Sequence, residues 1–303
     1  MEKLKEIKVW FVTHKFTAIL ATAIILILAG GVFAFQKITS KPTGPVEAVD
    51  LSFDAEGPYA LTNPRRDGNA MILNLTRTGS YDSISYELAY TSNPDETTVA
   101  GTKITDDGEG GSVPVGGIDR GVVGNIDTKE KKGSYEQEIL FGTCSKNVCK
   151  YDKGVENGTL TLHIKKGNKA YRMSTQWHLQ KPDIALGVLT SGDNHFTYKL
   201  ADDRAMLTNI GFTIVNDLTG VPKLPSGKSV LGKVYALNAP VAKDMKEGDV
   251  TIEMAETPPA DAKIFRYNES ENKWEELDTK ISGSTLLAKA SGAGIFAVLS
   301  SKK

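Results

Sequence analysis

Two hydrophobic patterns run along this chain, one continuous and one alternating. Between Phe16 and Gln36 no residue is charged, and Lys15 and Lys37 bracket the stretch. At about 1.5 Å of rise per residue, a helix of this length crosses the roughly 30 Å hydrocarbon core of a bilayer. The continuous pattern therefore predicts a transmembrane helix over 16–36, with a tail over 1–15 before it. After the span the apolar residues come in short groups that alternate with polar ones, the period of half-buried strands. In Ser83–Tyr90 the residues Ile84, Tyr86, Leu88 and Tyr90 share one face, and Ser85 and Glu87 the other.

Further strands are predicted at 70–75, 138–141, 160–164 and 171–177, with Asn157-Gly158 and Gly167-Asn168 as turns between them. A second series follows at 195–200, 211–215, 230–237, 250–254, 262–267, 273–277, 285–290 and 294–299. This spacing predicts an all-β protein of two tandem β-sandwiches, immunoglobulin-like or fibronectin type III-like in character. The first domain is expected over 46–182 and the second over 184–303, with a boundary at Gln180-Lys181-Pro182-Asp183. Residues 37–45, rich in Pro, Gly, Ser and Thr, read as a stalk.

Charge orients the anchor. Lys3, Lys5, Lys8 and Lys15 precede the span, and only Lys37 and Lys41 follow it closely, which predicts a cytoplasmic N-terminus with the bulk of the chain beyond the membrane. Val32-Phe33-Ala34 has the small or tolerated residues that a signal peptidase reads. The apolar stretch, however, exceeds the roughly 7–15 residues of a signal h-region, so an uncleaved signal-anchor is expected. No Cys follows the stretch closely, which argues against a lipoprotein. With 36 basic and 37 acidic residues and no long run of either, there is no electrostatic case for nucleic acid.

Cys144 and Cys149 enclose Ser145-Lys146-Asn147-Val148, and a four-residue hairpin loop would set them opposite each other at the separation a disulfide needs. Such a bond persists outside the cytosol, in agreement with the charge bias. Zinc would require four ligands, and only His163 and His178 lie in the same region. The Gly-rich stretch Thr105–Gly133 carries Asp106, Asp107, Glu109 and Asp119, hard oxygen ligands that suit calcium. Their spacing is not that of an EF-hand, and a solvent-facing hairpin tip is the competing reading.

Little else suggests catalysis. His14 abuts the span, while His163, His178 and His195 fall in strand-like runs that scaffold loops. No Gly-x-Ser-x-Gly elbow occurs, and Gly227-Lys228-Ser229 fails as a phosphate loop because Pro222 stands where a glycine is required. Glu275 and Glu276 are strand neighbours and point to opposite faces, so they cannot act as paired acids. Tyr81, Tyr86, Tyr90, Tyr171 and Trp177 would make a carbohydrate platform if exposed, but alternation places most of them inside. Arg65-Arg66-Asp67-Gly68 reads as a turn.

Near the C-terminus, Val250-Thr251-Ile252, Ala262–Asn268, Trp274-Glu275-Glu276-Leu277, Thr285-Leu286-Leu287-Ala288 and Gly294–Val298 follow one another in order. In that order the last 60 or so residues resemble the β-sandwich module of the ZU5 and GAIN-like group of surface proteins. The first domain looks like those of membrane-anchored bacterial surface proteins. Some members of the group cleave themselves just before the final strand, where a hydroxyl attacks the preceding carbonyl and a His two residues upstream takes its proton. Here that place reads Ser291-Gly292-Ala293-Gly294, without the required His. His195-Phe196-Thr197 has the right residues at the opposite end of the domain.

The function expected from these readings is a non-enzymatic, membrane-anchored extracytoplasmic protein for adhesion, ligand binding or envelope assembly. Its partners would be membrane lipid and an extracellular protein or glycan, with no cofactor unless the acidic loop holds calcium. The alternatives are an envelope enzyme, a self-cleaving sandwich, or a subunit of a surface polymer that pairs through edge strands.

Overall fold

The computed structural model describes residues 47–51, 57–77, 81–93, 117–129, 133–146, 148–180, 187–200, 212–216, 218, 220–240 and 245–302. The expected membrane helix, tail and stalk all lie outside these residues, as do Asp106, Asp107 and Glu109. Among the described residues no helix is long and apolar enough to cross a membrane.

The described chain is all-β. Its largest sheet has ten strands: β1 (Ala48–Asp50), β4 (Ser83–Ser92), β5 (Ile118–Ile126), β9 (Asn157–Lys166), β10 (Lys169–Gln180), β13 (Phe212–Asn216), β14 (Lys228–Asn238), β16 (Lys263–Asn268), β17 (Lys273–Glu276) and β20 (Gly294–Ser301). Their order is β17-β16-β20-β14-β13-β10-β9-β4-β5, with β1 beside β10. A five-stranded sheet contains β11 (Val188–Thr190), β12 (Phe196–Leu200), β15 (Glu247–Glu253), β18 (Lys280–Ser282) and β19 (Thr285–Ser291), in the order β11-β12-β15-β19-β18. β2 (Tyr59–Pro64), β3 (Ala70–Thr76) and β6 (Ser134–Leu140) form a three-stranded sheet, and β7 (Gly142–Ser145) pairs with β8 (Val148–Tyr151) in a two-stranded one. All pairings are antiparallel except that of β1 with β10.

Two apolar cores flank the middle of the large sheet. On β14, Val234 and Ala236 enter one core, whereas Tyr235 and Leu237 enter the other. β20 divides in the same way, with Ile295, Ala297 and Leu299 on one side and Phe296 and Val298 on the other. A strand covered on both faces has no polar side to present, which is why β20 reads as an unbroken apolar run. The first core also takes Leu61 of β2, Leu73 of β3 and Ile139 of β6; the second takes Tyr198 of β12, Val250 of β15 and Leu286 of β19.

The sheet runs through the expected domain boundary. Gln180 ends β10, and β10 hydrogen-bonds to β13 with Gln180 opposite Phe212. The first core likewise draws on both halves, from Leu73 and Leu88 to Phe265 and Leu299. At the seam the carbonyl of Thr62 in β2 accepts from the Thr213 hydroxyl and from Asn238 Nδ2, the latter at 3.1 Å.

Gly167-Asn168 is a turn as expected, joining Lys166 to Lys169 with φ +57° at Gly167. Asn157-Gly158 is not a turn. Both residues lie in β9, with Gly158 opposite Trp177. A β-carbon there would sit 2.2 Å from Trp177 Cζ2 and 2.3 Å from the Ala89 carbonyl oxygen, so the glycine makes room for a buried indole. Trp177, Tyr86 and Tyr90 are buried, and Tyr81 and Tyr171 pack against the same core, which leaves no aromatic platform among these five. Residues 65–69 make the predicted turn between β2 and β3, braced by Arg65 donating to Asp67 at 2.8 Å and to Glu138 at 2.7 Å.

Candidate ligand groove

The richest convergence of polar groups surrounds the tip of the β11–β12 hairpin. The tip has to reverse the chain over Ser191-Gly192-Asp193-Asn194-His195, and short polar side chains do this by bonding the nearby backbone. Ser191 Oγ donates to Asp193 Oδ1 at 2.5 Å and accepts from the Phe196 N–H at 3.0 Å. Asp193 also accepts from the His195 N–H at 3.2 Å, and Asn194 takes φ +59° to complete the reversal. The Asp193 carboxylate then reaches across to the large sheet, accepting from Lys233 Nζ at 3.2 Å and from the Tyr235 hydroxyl at 3.4 Å. Burial alone would raise the Asp193 carboxyl, but the donors Ser191, the His195 N–H and Lys233 outweigh it and hold the pKa below the ordinary carboxylate value.

Beside this tip lies a groove of about 420 Å³. Leu231, Tyr235, Ile252, Met254 and Pro258 supply its apolar walls, and His195, Lys233, Glu253 and Glu256 its charged or polar rim. A bulge in β14 helps to shape it: the register against β20 shifts between Leu231 and Val234, and Gly232 between them takes φ +68°. A side chain at 232 would stand 3.4 Å from the Met254 methyl, on the groove wall. An isolated glycine within an apolar run is the signature of such a bulge.

Ser191, Asp193 and His195 look like the ingredients of acyl transfer, yet their geometry serves the turn. The Ser191 hydroxyl is occupied on both sides and the residue is 1% exposed. His195 donates from Nδ1 to the Asp193 carbonyl at 2.6 Å, while the carboxylate lies 4.0 Å from that nitrogen. The His195-Phe196-Thr197 tripeptide enters a regular antiparallel ladder, with Phe196 opposite Ile252 and Thr197 opposite Thr251 and Thr190. The Phe196 carbonyl accepts from the Ser191 N–H at 3.0 Å.

The other sequence candidates are scattered. Cys144 and Cys149 are disulfide-bonded across an exposed hairpin, with Cα atoms 4.0 Å apart. The strands continue one pair beyond the cysteines to Ser145 and Val148, so the turn is shorter than the four residues expected. Asp119 accepts from Thr91 Oγ1 at 3.2 Å, and among the described residues no group of three or more His, Cys, Asp or Glu is placed to hold a metal. His163 is exposed on β9, opposite Arg172. His178 donates to Asn157 Oδ1 at 2.7 Å, and burial pushes its pKa down. Glu275 approaches Arg266, whereas Glu276 is exposed.

Of the groove's residues only His195 was a candidate from the sequence. Asp193 and Lys233 escape a linear reading because a bulge and a hairpin tip far apart in the chain bring them together. Set against known protein families and curated proteins, the sequence matches none of them.

Proposed function

We propose that this chain is a non-enzymatic, membrane-anchored extracytoplasmic binding protein whose groove takes an extended apolar segment of a partner protein. The groove itself carries the reading: its walls are apolar, and Asp193, His195 and Lys233 at its mouth are engaged in the bonds of the hairpin tip that frames it. An enzyme site requires convergent groups with free proton-transfer capacity, whereas a binding groove needs shape, apolar area and a few fixed polar atoms. The uncharged stretch 16–36 and its basic flank support anchoring with the N-terminus in the cytoplasm, and the exposed Cys144–Cys149 disulfide suits an oxidising exterior.

In this reading the two cores belong to two sandwich modules of immunoglobulin or fibronectin type III character that share the large sheet. The likeness of the last strands to the ZU5 and GAIN-like group supports a surface role. The test is a screen of the full-length chain in detergent micelles against envelope proteins and their peptides, repeated with Met254→Lys, which places a charge on the apolar wall. Retention of a peptide by the parent and not by the variant is the expected result. Hydrolysis of any peptide offered would overturn the reading.

A further inference from the structure

A second cleft, with different chemistry, opens where β2 and β3 meet β14, β16 and β20. It measures about 570 Å³ and is lined by Arg266, four asparagines, Ser270, Glu269 and a small apolar patch that includes Met245 and Ile295. Arg266 is the unusual member. It sits in the middle of β16, between Phe296 of β20 and Glu275 of β17, and is 7% exposed.

A guanidinium carries five donors, and burying it without acceptors is costly. Yet among the described residues Arg266 Nε has no hydrogen-bond partner. The nearest carboxylate oxygen, on Glu275, stands 3.6 Å away, too far for a hydrogen bond, while the other oxygen of that carboxylate accepts from Asn268 Nδ2 at 3.2 Å. Glycines bring the loop before β20 over this arginine. Gly292 and Gly294 have φ of +95° and +151°, and a β-carbon on Gly294 would meet the Tyr267 carbonyl at 2.6 Å and Arg266 Cγ at 3.3 Å. Residues 292–294 thus form a glycine cover over the stem of a buried charge.

Two of the four asparagines have structural duties. Asn238 donates to Thr62, and Asn268 caps the turn at Ser270 and Glu271. Asn63 and Asn74, diagonal neighbours on β2 and β3, are half-buried and line the cleft. Each side-chain amide offers an acceptor and two donors. One guanidinium and one carboxylate on the walls leave no net charge to select an anion. Hydroxyl groups, which both donate and accept, match this lining, and the apolar patch suits the C–H face of a sugar ring.

We propose that this cleft binds a neutral oligosaccharide, with Arg266 and the amides of Asn63 and Asn74 meeting its hydroxyls. The site is independent of the groove beside His195.

The experiment is calorimetric titration of the full-length chain, in a detergent without a sugar headgroup, with maltotriose, cellotriose and chitotriose. At least one should bind saturably. Asn74→Ala should weaken that binding about tenfold, the scale of one well-made hydrogen bond, and Asn63→Ala should act in the same direction. Lys233→Ala, in the other groove, should leave it unchanged. Because Arg266→Met changes a buried side chain, the two asparagine variants decide the matter if that protein fails to fold. The proposal is overturned if none of the three sugars saturates at millimolar concentration, if binding is intact in both asparagine variants, or if acidic trigalacturonate binds and the neutral sugars do not.

Discussion

β4 and β20 lie in the same sheet and are both paired on two sides, yet they are built from different sequences. β4 alternates, with Ile84, Tyr86, Leu88 and Tyr90 buried and their neighbours largely exposed. β20 buries six consecutive residues, Ile295 to Ser300. The difference is the number of layers. β4 has a core on one face and water on the other, whereas β20 separates two cores and has water on neither. Position in the sheet therefore sets how much each side chain contributes, because apolar burial on both sides of a strand leaves no face to relax.

The largest test of that comparison is Phe296→Ala. Phe296 is fully buried and packs against Phe196 at 5.3 Å and Tyr198 at 6.2 Å between ring centroids. Truncation should cost about 3–5 kcal/mol, seen as a lowered denaturant midpoint. Removing a solvent-facing side chain on the water side of β4, as in Glu87→Ala, should change stability by less than about 0.5 kcal/mol. Similar losses from the two variants would mean that β20 is not a shared wall.

The next test concerns the polar end of the same wall. The Tyr198 hydroxyl shares its one proton between the carbonyls of Lys246 and Ala290, at 2.7 and 2.9 Å, and accepts from the Gly292 N–H at 3.2 Å. Tyr198→Phe keeps the ring and strands those groups, so a loss of about 1–3 kcal/mol is expected in equilibrium unfolding. A neutral outcome would show that water reaches the loop before β20.

These contrasts explain what could be read in advance. The existence of β4, β10 and β20 was visible because side-chain period follows burial. The pairing of β10 with β13 was not, because nothing local to Gln176–Gln180 names a partner beyond residue 211. Asn157-Gly158 was misread since Asn-Gly is the strongest short hairpin signal, and only the distant Trp177 reveals why a glycine is needed inside the strand. His195 stood out as a histidine. Arg266 did not, because an arginine on a strand is expected to face water, and its burial arises from glycines more than twenty residues later.

A weaker effect is expected at the exposed β7–β8 hairpin, which among the described residues pairs with no other strand. In the chain-entropy view a disulfide closing so short a loop contributes at most about 2 kcal/mol. The hairpin can also open without disturbing either core. Cys144→Ser with Cys149→Ser should therefore shift the global midpoint little and raise amide exchange over residues 142–151. A global loss as large as that of Phe296→Ala would place the hairpin in the core's cooperative unit.

A modest effect, with a distinctive pH signature, belongs to Asp193 at the groove mouth. Its folded pKa lies below its unfolded value, so the stabilisation is present above the unfolded pKa, near 4, and is lost as pH falls through the folded pKa. Asp193→Asn keeps the size but weakens the pairing with Lys233 and with the Ser191 hydroxyl, a cost of about 1 kcal/mol at neutral pH. Below the folded pKa the parent is protonated and the two proteins should converge. Stability curves measured from pH 7 downward thus separate two explanations of any weakened ligand binding in the variant. If the gap closes in acid, the carboxylate braces the groove through its charge; a gap of constant size would mean that shape alone holds the hairpin tip against Lys233 and Tyr235.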